Sequence, residues 1–126
     1  MATVVVGYVP KPEGDAALER AVKEARLRDA AVLVINSSRR REGEEARELV
    51  EVRSRLKATG LDYEVREVTG GFDAAEDIVD AAGEDDLIVI GVRRRTPLGK
   101  LILGSSAQRI LLDASCPVLT VKPARG

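Results

Sequence analysis

Three stretches of the chain are apolar without alternation: Thr3 to Val9 (TVVVGYV), Ala30 to Asn36 (AAVLVIN) and Leu87 to Ile90 (LIVI). Strands of this kind are buried on both faces, as in a parallel sheet covered by helices. Leu61 to Val68 reads differently. Leu61, Tyr63, Val65 and Glu67 alternate with Asp62, Glu64 and Arg66, the period-two pattern of an edge strand with one wet face. Val118 to Lys122 is a further short apolar strand. Between the strands the apolar residues take helical spacing. Asp15 to Arg28 carries Ala17, Leu18, Ala21, Val22 and Ala25, capped by Gly14 or Asp15 after a Pro10–Pro12 loop whose prolines exclude a helix interior. Glu44 to Thr59 has a narrow stripe of Ala46, Leu49, Val50, Arg53 and Leu56 and ends at Gly60, a C′ glycine. Asp73 to Ala82 turns Ala74, Ala75, Ile78 and Val79 inward after a Gly70-Gly71 turn. The last helix opens at Gly104-Ser105-Ser106 and offers Ala107, Ile110, Leu111 and Ala114.

The order is therefore β-α-β-α-β-α-β-α-β. It predicts an α/β fold: a single doubly wound open sheet of five parallel strands with four helices, Rossmann-like, over residues 1–126 as one domain. Ligands of such sheets bind at the carboxyl ends of the strands, where the strand order reverses. The residues that follow the first strand (Val9, Pro10), the second (Asn36, Ser37) and the fourth (Gly91 onward) belong to that edge.

Composition narrows the chemistry. The chain has no histidine, which removes the commonest general base and metal ligand, and a single cysteine, which excludes an internal disulfide and a cysteine zinc site. Cys116 reads as a small buried hydrophobe. Charged residues make up 33% but the net charge is −1, so the chain as a whole attracts neither nucleic acid nor membrane. Arg39-Arg40-Arg41 is balanced by Glu42, Glu44 and Glu45. With no leader pattern at the start and no apolar run of membrane-spanning length, a cytoplasmic protein is expected.

The stretch Asp86 to Lys122 carries the candidate chemistry. A buried strand ends at Gly91, a loop with Arg93, Arg94, Arg95 and Lys100 follows, and Gly104-Ser105-Ser106 starts a helix. A glycine and two hydroxyls at a helix start present backbone N–H groups, hydroxyl donors and the positive end of the helix dipole, which is chemistry for phosphate. The bland reading of the same residues is an ordinary serine N-cap, and of the arginines a solvated loop.

This stretch resembles the universal stress protein family, which shows an apolar strand ending in glycine, then G-x2-G-x9-G-(S/T), a helix, and a last strand near Cys-Pro-Val. Gly91 matches the first glycine, Gly104-Ser105 the terminal pair, and Ser115-Cys116-Pro117-Val118-Leu119 the last strand. The order of elements agrees along essentially the entire chain. The resemblance implies an adenine nucleotide alpha hydrolase-like fold with strand order 3-2-1-4-5, ATP as ligand with Mg²⁺ bridging its phosphates, and a dimeric regulator or sensor of stress joined through Val118–Lys122. The implied site comprises Val9, Pro10, Asn36, Ile90, Gly91, Arg93, Arg94, Gly104, Ser105 and Ser106, with Gly91 allowing close approach of the ligand and Gly104–Ser106 holding phosphates. Two positions depart from the pattern. Arg94 stands where the family has its middle glycine: either it points outward and the loop still binds ATP, or it fills the site or takes another anion. Val9 stands where many members place an aspartate on the nucleotide; here Val9 and Pro10 offer an adenine ring apolar contact instead. The alternative function is a member of the family that binds no nucleotide and acts through dimerisation and protein–protein interaction. No catalytic residue or metal ligand is assigned, and turnover is expected to reach weak ATP hydrolysis at most.

Overall fold

A computed structural model of the chain describes residues 2–36, 47–68, 74–94 and 101–123. The elements run β1 (Thr3–Tyr8), α1 (Pro12–Arg28), β2 (Ala31–Asn36), α2 (Arg47–Thr59), β3 (Tyr63–Glu67), α3 (Ala74–Ala81), β4 (Leu87–Gly91), β5 (Arg93–Arg94), β6 (Leu101–Ile102), α4 (Ser105–Asp113) and β7 (Val118–Val121). Of the segments discussed above, Ser37 to Ala46, Gly70, Gly71, Asp73, Arg95 and Lys100 lie outside the described residues, as does the side chain of Arg94.

Five strands form one parallel sheet in the order β3-β2-β1-β4-β7, which is 3-2-1-4-5 counted along that sheet. The continuous apolar runs are the inner strands. Val4 pairs in register with Val32 on one side and Leu87 on the other. Their side chains alternate between two cores, one on each face. Val4, Val6, Val34 and Val89 meet Leu18, Ala21, Val52 and Leu56 of α1 and α2. Val5, Ile35, Ile88 and Ile90 meet Ala75 and Ile78 of α3 and Ile110 of α4. β3, with its alternating sequence, is one edge and β7 the other. At the amino ends of the strands Asp86 ties β4 to β1. One carboxylate oxygen accepts the Thr3 N–H at 2.8 Å and the other the Gly83 N–H at 2.8 Å.

Several local expectations change. α1 begins at Pro12, three residues before Asp15, with Lys11 as its N-cap. Proline lacks an N–H that the first turn would leave unbonded, so here it starts the helix rather than barring it. Gly14 lies inside α1, where a Cβ would overlap the Val9 carbonyl. The buried stripe of α2 is Leu49, Val52 and Leu56; Val50 is 57% exposed and Arg53 is exposed, so those two do not belong to it. On α4 only Ile110 is fully buried, and Leu111 and Leu112 face outward. Gly60 has φ +75°, the left-handed C′ conformation expected of it. The basic loop after β4 contains an unforeseen antiparallel ribbon, Arg93 opposite Ile102 and Arg94 opposite Leu101. Two residues per strand are too few to leave a periodic signal.

Candidate functional site

The strand order reverses between β1 and β4, so their carboxyl ends flank the crevice of the sheet. Val9 and Pro10 leave β1, Asn36 ends β2, and Gly91 ends β4. The ribbon β5–β6 then carries the chain from β4 to the N-terminus of α4. Because α4 crosses back to start β7 parallel to β4, its N-terminus is on this same edge of the sheet. The topology therefore gathers the expected residues on one side of the molecule.

Their surroundings separate them. Pro10, Arg93, Gly104, Ser105 and Ser106 are exposed, and Val9 and Gly91 are half-buried. Ile90 is buried among Ala75, Ile78 and Ile110, so its side chain belongs to the core. Asn36 is 1% exposed and sits beneath the edge, in register with Tyr8, its carbonyl accepting the Val68 N–H at 3.3 Å. Gly91 also has a packing role. The space a Cβ would occupy there is filled by the first turn of α1: it would overlap the Glu13 carbonyl oxygen and stand 2.6 Å from the Glu13 carbonyl carbon. The glycine lets helix α1 close on β4.

Gly104 is the opposite case. It is the N-cap of α4, with φ −65° and ψ 166°, a conformation open to any residue, and among the described residues, its chain neighbours aside, nothing lies within 4 Å of where its Cβ would be. No side-chain hydrogen bond caps this helix, and no acidic residue occupies its first turn. Aspartate, serine or asparagine would cap it better than glycine. The exposed N–H groups and the dipole make this end of α4 attractive to an anion.

Beside the crevice lies a cluster that the sequence reading missed. Tyr8, the last residue of β1, donates its hydroxyl to Asp15 Oδ1 at 3.3 Å, and Arg55 Nη1 donates to the same oxygen at 3.4 Å. The three come from β1, α1 and α2, so no local spacing announces them; the only hint is that Tyr8 continues the inward alternation of Val4 and Val6. Burial, followed by the negative charge of Asp15 and the hydrogen bond to it, pushes the Tyr8 phenol up to about 12, with Arg55 opposing. A phenol whose pKa is raised on folding stabilises the fold below its ordinary value of 10.0, and that stability is lost as pH rises through about 12. Urea unfolding is therefore expected to show a stability loss between about pH 9 and about pH 11.5 that is smaller in Tyr8→Phe. An equal loss in both proteins would refute the assignment to Tyr8. Cys116 is half-buried, and burial followed by the charge of Asp86 raises its thiol, which suits a packing role rather than a nucleophile. Among the described residues no group of histidine, cysteine, aspartate and glutamate side chains is placed to hold a metal ion, and no helix is long and apolar enough to cross a membrane.

An open parallel sheet with helices on both faces and a crevice at its switch point is a Rossmann-like α/β fold. Comparison with known proteins is more specific. Residues 1–122 match the model of the universal stress protein family, and the chain belongs to that family. It is 43% identical over 127 aligned positions to a universal stress protein of Mycolicibacterium smegmatis, covering 95% of this chain and 97% of the relative. Among solved structures it resembles a universal stress protein in complex with cAMP, with TM-score 0.74, 28% identity and 98% of each chain covered. A universal stress protein from Archaeoglobus fulgidus in complex with dAMP superposes with TM-score 0.65 and 25% identity, covering 97% of this chain and 98% of that one.

Proposed function

We propose that residues 1–126 act as one universal stress domain that binds an adenine nucleotide at the β1–β4 crevice and works as a dimeric sensor or regulator in the cytoplasm. The observation that carries this reading is Gly104. It is a helix N-cap without a side chain, at φ and ψ open to any residue, and none of the described residues beyond its chain neighbours comes within 4 Å of where a Cβ would stand. Phosphate oxygens would accept hydrogen bonds from the N–H groups at the start of α4 and from the hydroxyls of Ser105 and Ser106, with Arg93 at the ribbon supplying positive charge. The half-buried Val9 and the ring of Pro10 offer the base an apolar wall. The complexes of family members with cAMP and dAMP support an adenine nucleotide as the ligand class. ATP is the ligand we assign, with Mg²⁺ held through the phosphates rather than by a carboxylate cage. Among the described residues no group at the crevice is placed as a general base, and binding rather than turnover is the activity we expect.

The test is calorimetric titration of the nucleotide-stripped protein with ATP, with and without Mg²⁺, beside cyclic AMP and dAMP. Micromolar binding of ATP is expected. Saturable binding of the monophosphates alone would replace ATP as the ligand. No heat with any of the three would refute nucleotide binding and leave a protein that acts through its interfaces.

Dimerisation is proposed through β7. This edge strand of the sheet leaves Val118, Leu119 and Val121 only half-buried, and a strand edge is a template for pairing with a second copy. Light scattering is expected to give twice the 13.6 kDa of one chain, and Thr120→Lys, which charges that edge, to give a monomer. A monomeric parent protein would contradict the proposal.

A further inference from the structure

The outer surface between α1 and α2 holds a feature that the proposed nucleotide function does not use. A groove of about 590 Å³ runs between the two helices, within the range of about 300–1,000 Å³ typical of small-molecule sites. Its floor is apolar: Leu18 and Leu56 are fully buried at its base, and Val22 is half-buried along its side. At its mouth Leu27 is 72% exposed, on a helix whose other large apolar residues turn inward.

The rim is charged with one predominant sign. Lys23, Arg26 and Arg55 stand against Glu19 in the groove and Asp15, which pairs with Arg55 at its side, in a chain whose net charge is −1. Two of these cations strap the groove. Arg26 Nη2 reaches from α1 to the Thr59 carbonyl at 3.5 Å, and Arg55 Nη1 reaches from α2 to Asp15 Oδ1 at 3.4 Å. Both distances are at the outer limit of hydrogen bonding, and both side chains are exposed. A ligand carboxylate could approach either guanidinium more closely and bidentately, so the straps can open towards a better acceptor.

We propose that this groove binds a free long-chain fatty acid, its alkyl chain along Leu18, Val22, Leu27 and Leu56 and its carboxylate on Arg26 and Lys23. An apolar floor under a cationic rim matches a single-chain molecule with one anionic end. A purely apolar ligand would leave the cations unused, and a compact anion would leave the floor and Leu27 unused. The inference does not depend on nucleotide binding at the crevice.

The probe is 11-(dansylamino)undecanoic acid, added to the full-length protein after lipid has been stripped on a hydrophobic resin. Its fluorescence is expected to rise saturably, to be displaced by palmitate below its aggregation threshold, and to resist displacement by hexadecanol. Arg26→Glu and Lys23→Glu, both on exposed positions, are each expected to weaken binding about tenfold, the loss of one charged hydrogen bond with added repulsion. Leu27→Asp is expected to weaken it comparably, and Leu112→Ser, on the far face of the sheet, to leave it unchanged. Thermal midpoints confirm that each variant is folded. Equal displacement by hexadecanol, binding unaltered by Arg26→Glu, or a loss as large in Leu112→Ser would overturn the proposal. So would fluorescence that rises only with anionic vesicles, which would make the groove a membrane contact, or a dimer broken by Leu27→Asp, which would make it a face for a second copy.

Discussion

Gly91→Ala is expected to lower the unfolding free energy by roughly 3 kcal/mol or more, well above the usual effect of adding one methyl group to an exposed site. The added carbon would overlap the Glu13 carbonyl and press on the Glu13 Cβ at 2.9 Å. Two of the three atoms it meets are backbone, so no side chain can turn aside to make room. Relief requires the first turn of α1 to lift from β4. Gly14 resists that movement, because its own missing side chain lets α1 sit on the Val9 carbonyl. The cost is thus shared by the helix start, the loop after β1 and the end of β4. Urea denaturation followed by circular dichroism measures it, with Gly104→Ala as control. At that residue a Cβ meets none of the described residues, and its alanine variant is expected to lose no more than about 1 kcal/mol, the difference between glycine and alanine at an N-cap. Similar losses in the two variants would mean that α1 yields and that Gly91 is not held by packing.

The inner strands were legible because burial on both faces leaves no alternation to imitate a loop or an edge, and β1, β2 and β4 carry that signal in consecutive valines, leucines and isoleucines. The edge strand β3 was legible for the complementary reason. Helix faces were less so. On α2, Val50 and Val52 are chemically identical, and only the placement of the sheet decides that Val52 is buried while Val50 is exposed. The start of α1 was misplaced because a proline reads as an interruption until the helix direction is known, and then reads as a first-turn residue.

The site divides in the same way. Its location follows from chain order alone: alternation puts every β-to-α junction on one edge of the sheet. What each residue does there depends on contacts between elements distant in sequence. Gly91 and Gly104 look alike in the motif, yet the place of a Cβ is filled by α1 at the first and by none of the described residues at the second. Ile90 ends an apolar strand beside the crevice but faces Ile78 and Ile110. The link from Tyr8 through Asp15 to Arg55 joins β1 to residues 7 and then 40 positions apart, a separation no motif expresses.

Gly104→Asp separates folding from binding more sharply than any other substitution at the crevice. Aspartate is among the best N-cap residues, and its carboxylate favours the positive end of a helix, so α4 is expected to keep or slightly gain stability, by a few tenths of a kcal/mol. The new side chain meets none of the described residues at its Cβ, so it strains none of them there. Yet it takes the N–H groups that a phosphate would use and sets a negative charge beside that phosphate. Like charges at an interface cost several kcal/mol, so ATP affinity is expected to fall by about a hundredfold or more. Calorimetry on the variant reads the affinity and thermal unfolding reads the stability. Loss of binding with an unchanged or raised midpoint places the phosphates at the start of α4. Binding retained at the parent's affinity would show that the nucleotide keeps its phosphates elsewhere. The open cap at Gly104 would then be a helix end that lacks its best residue for some reason other than a ligand.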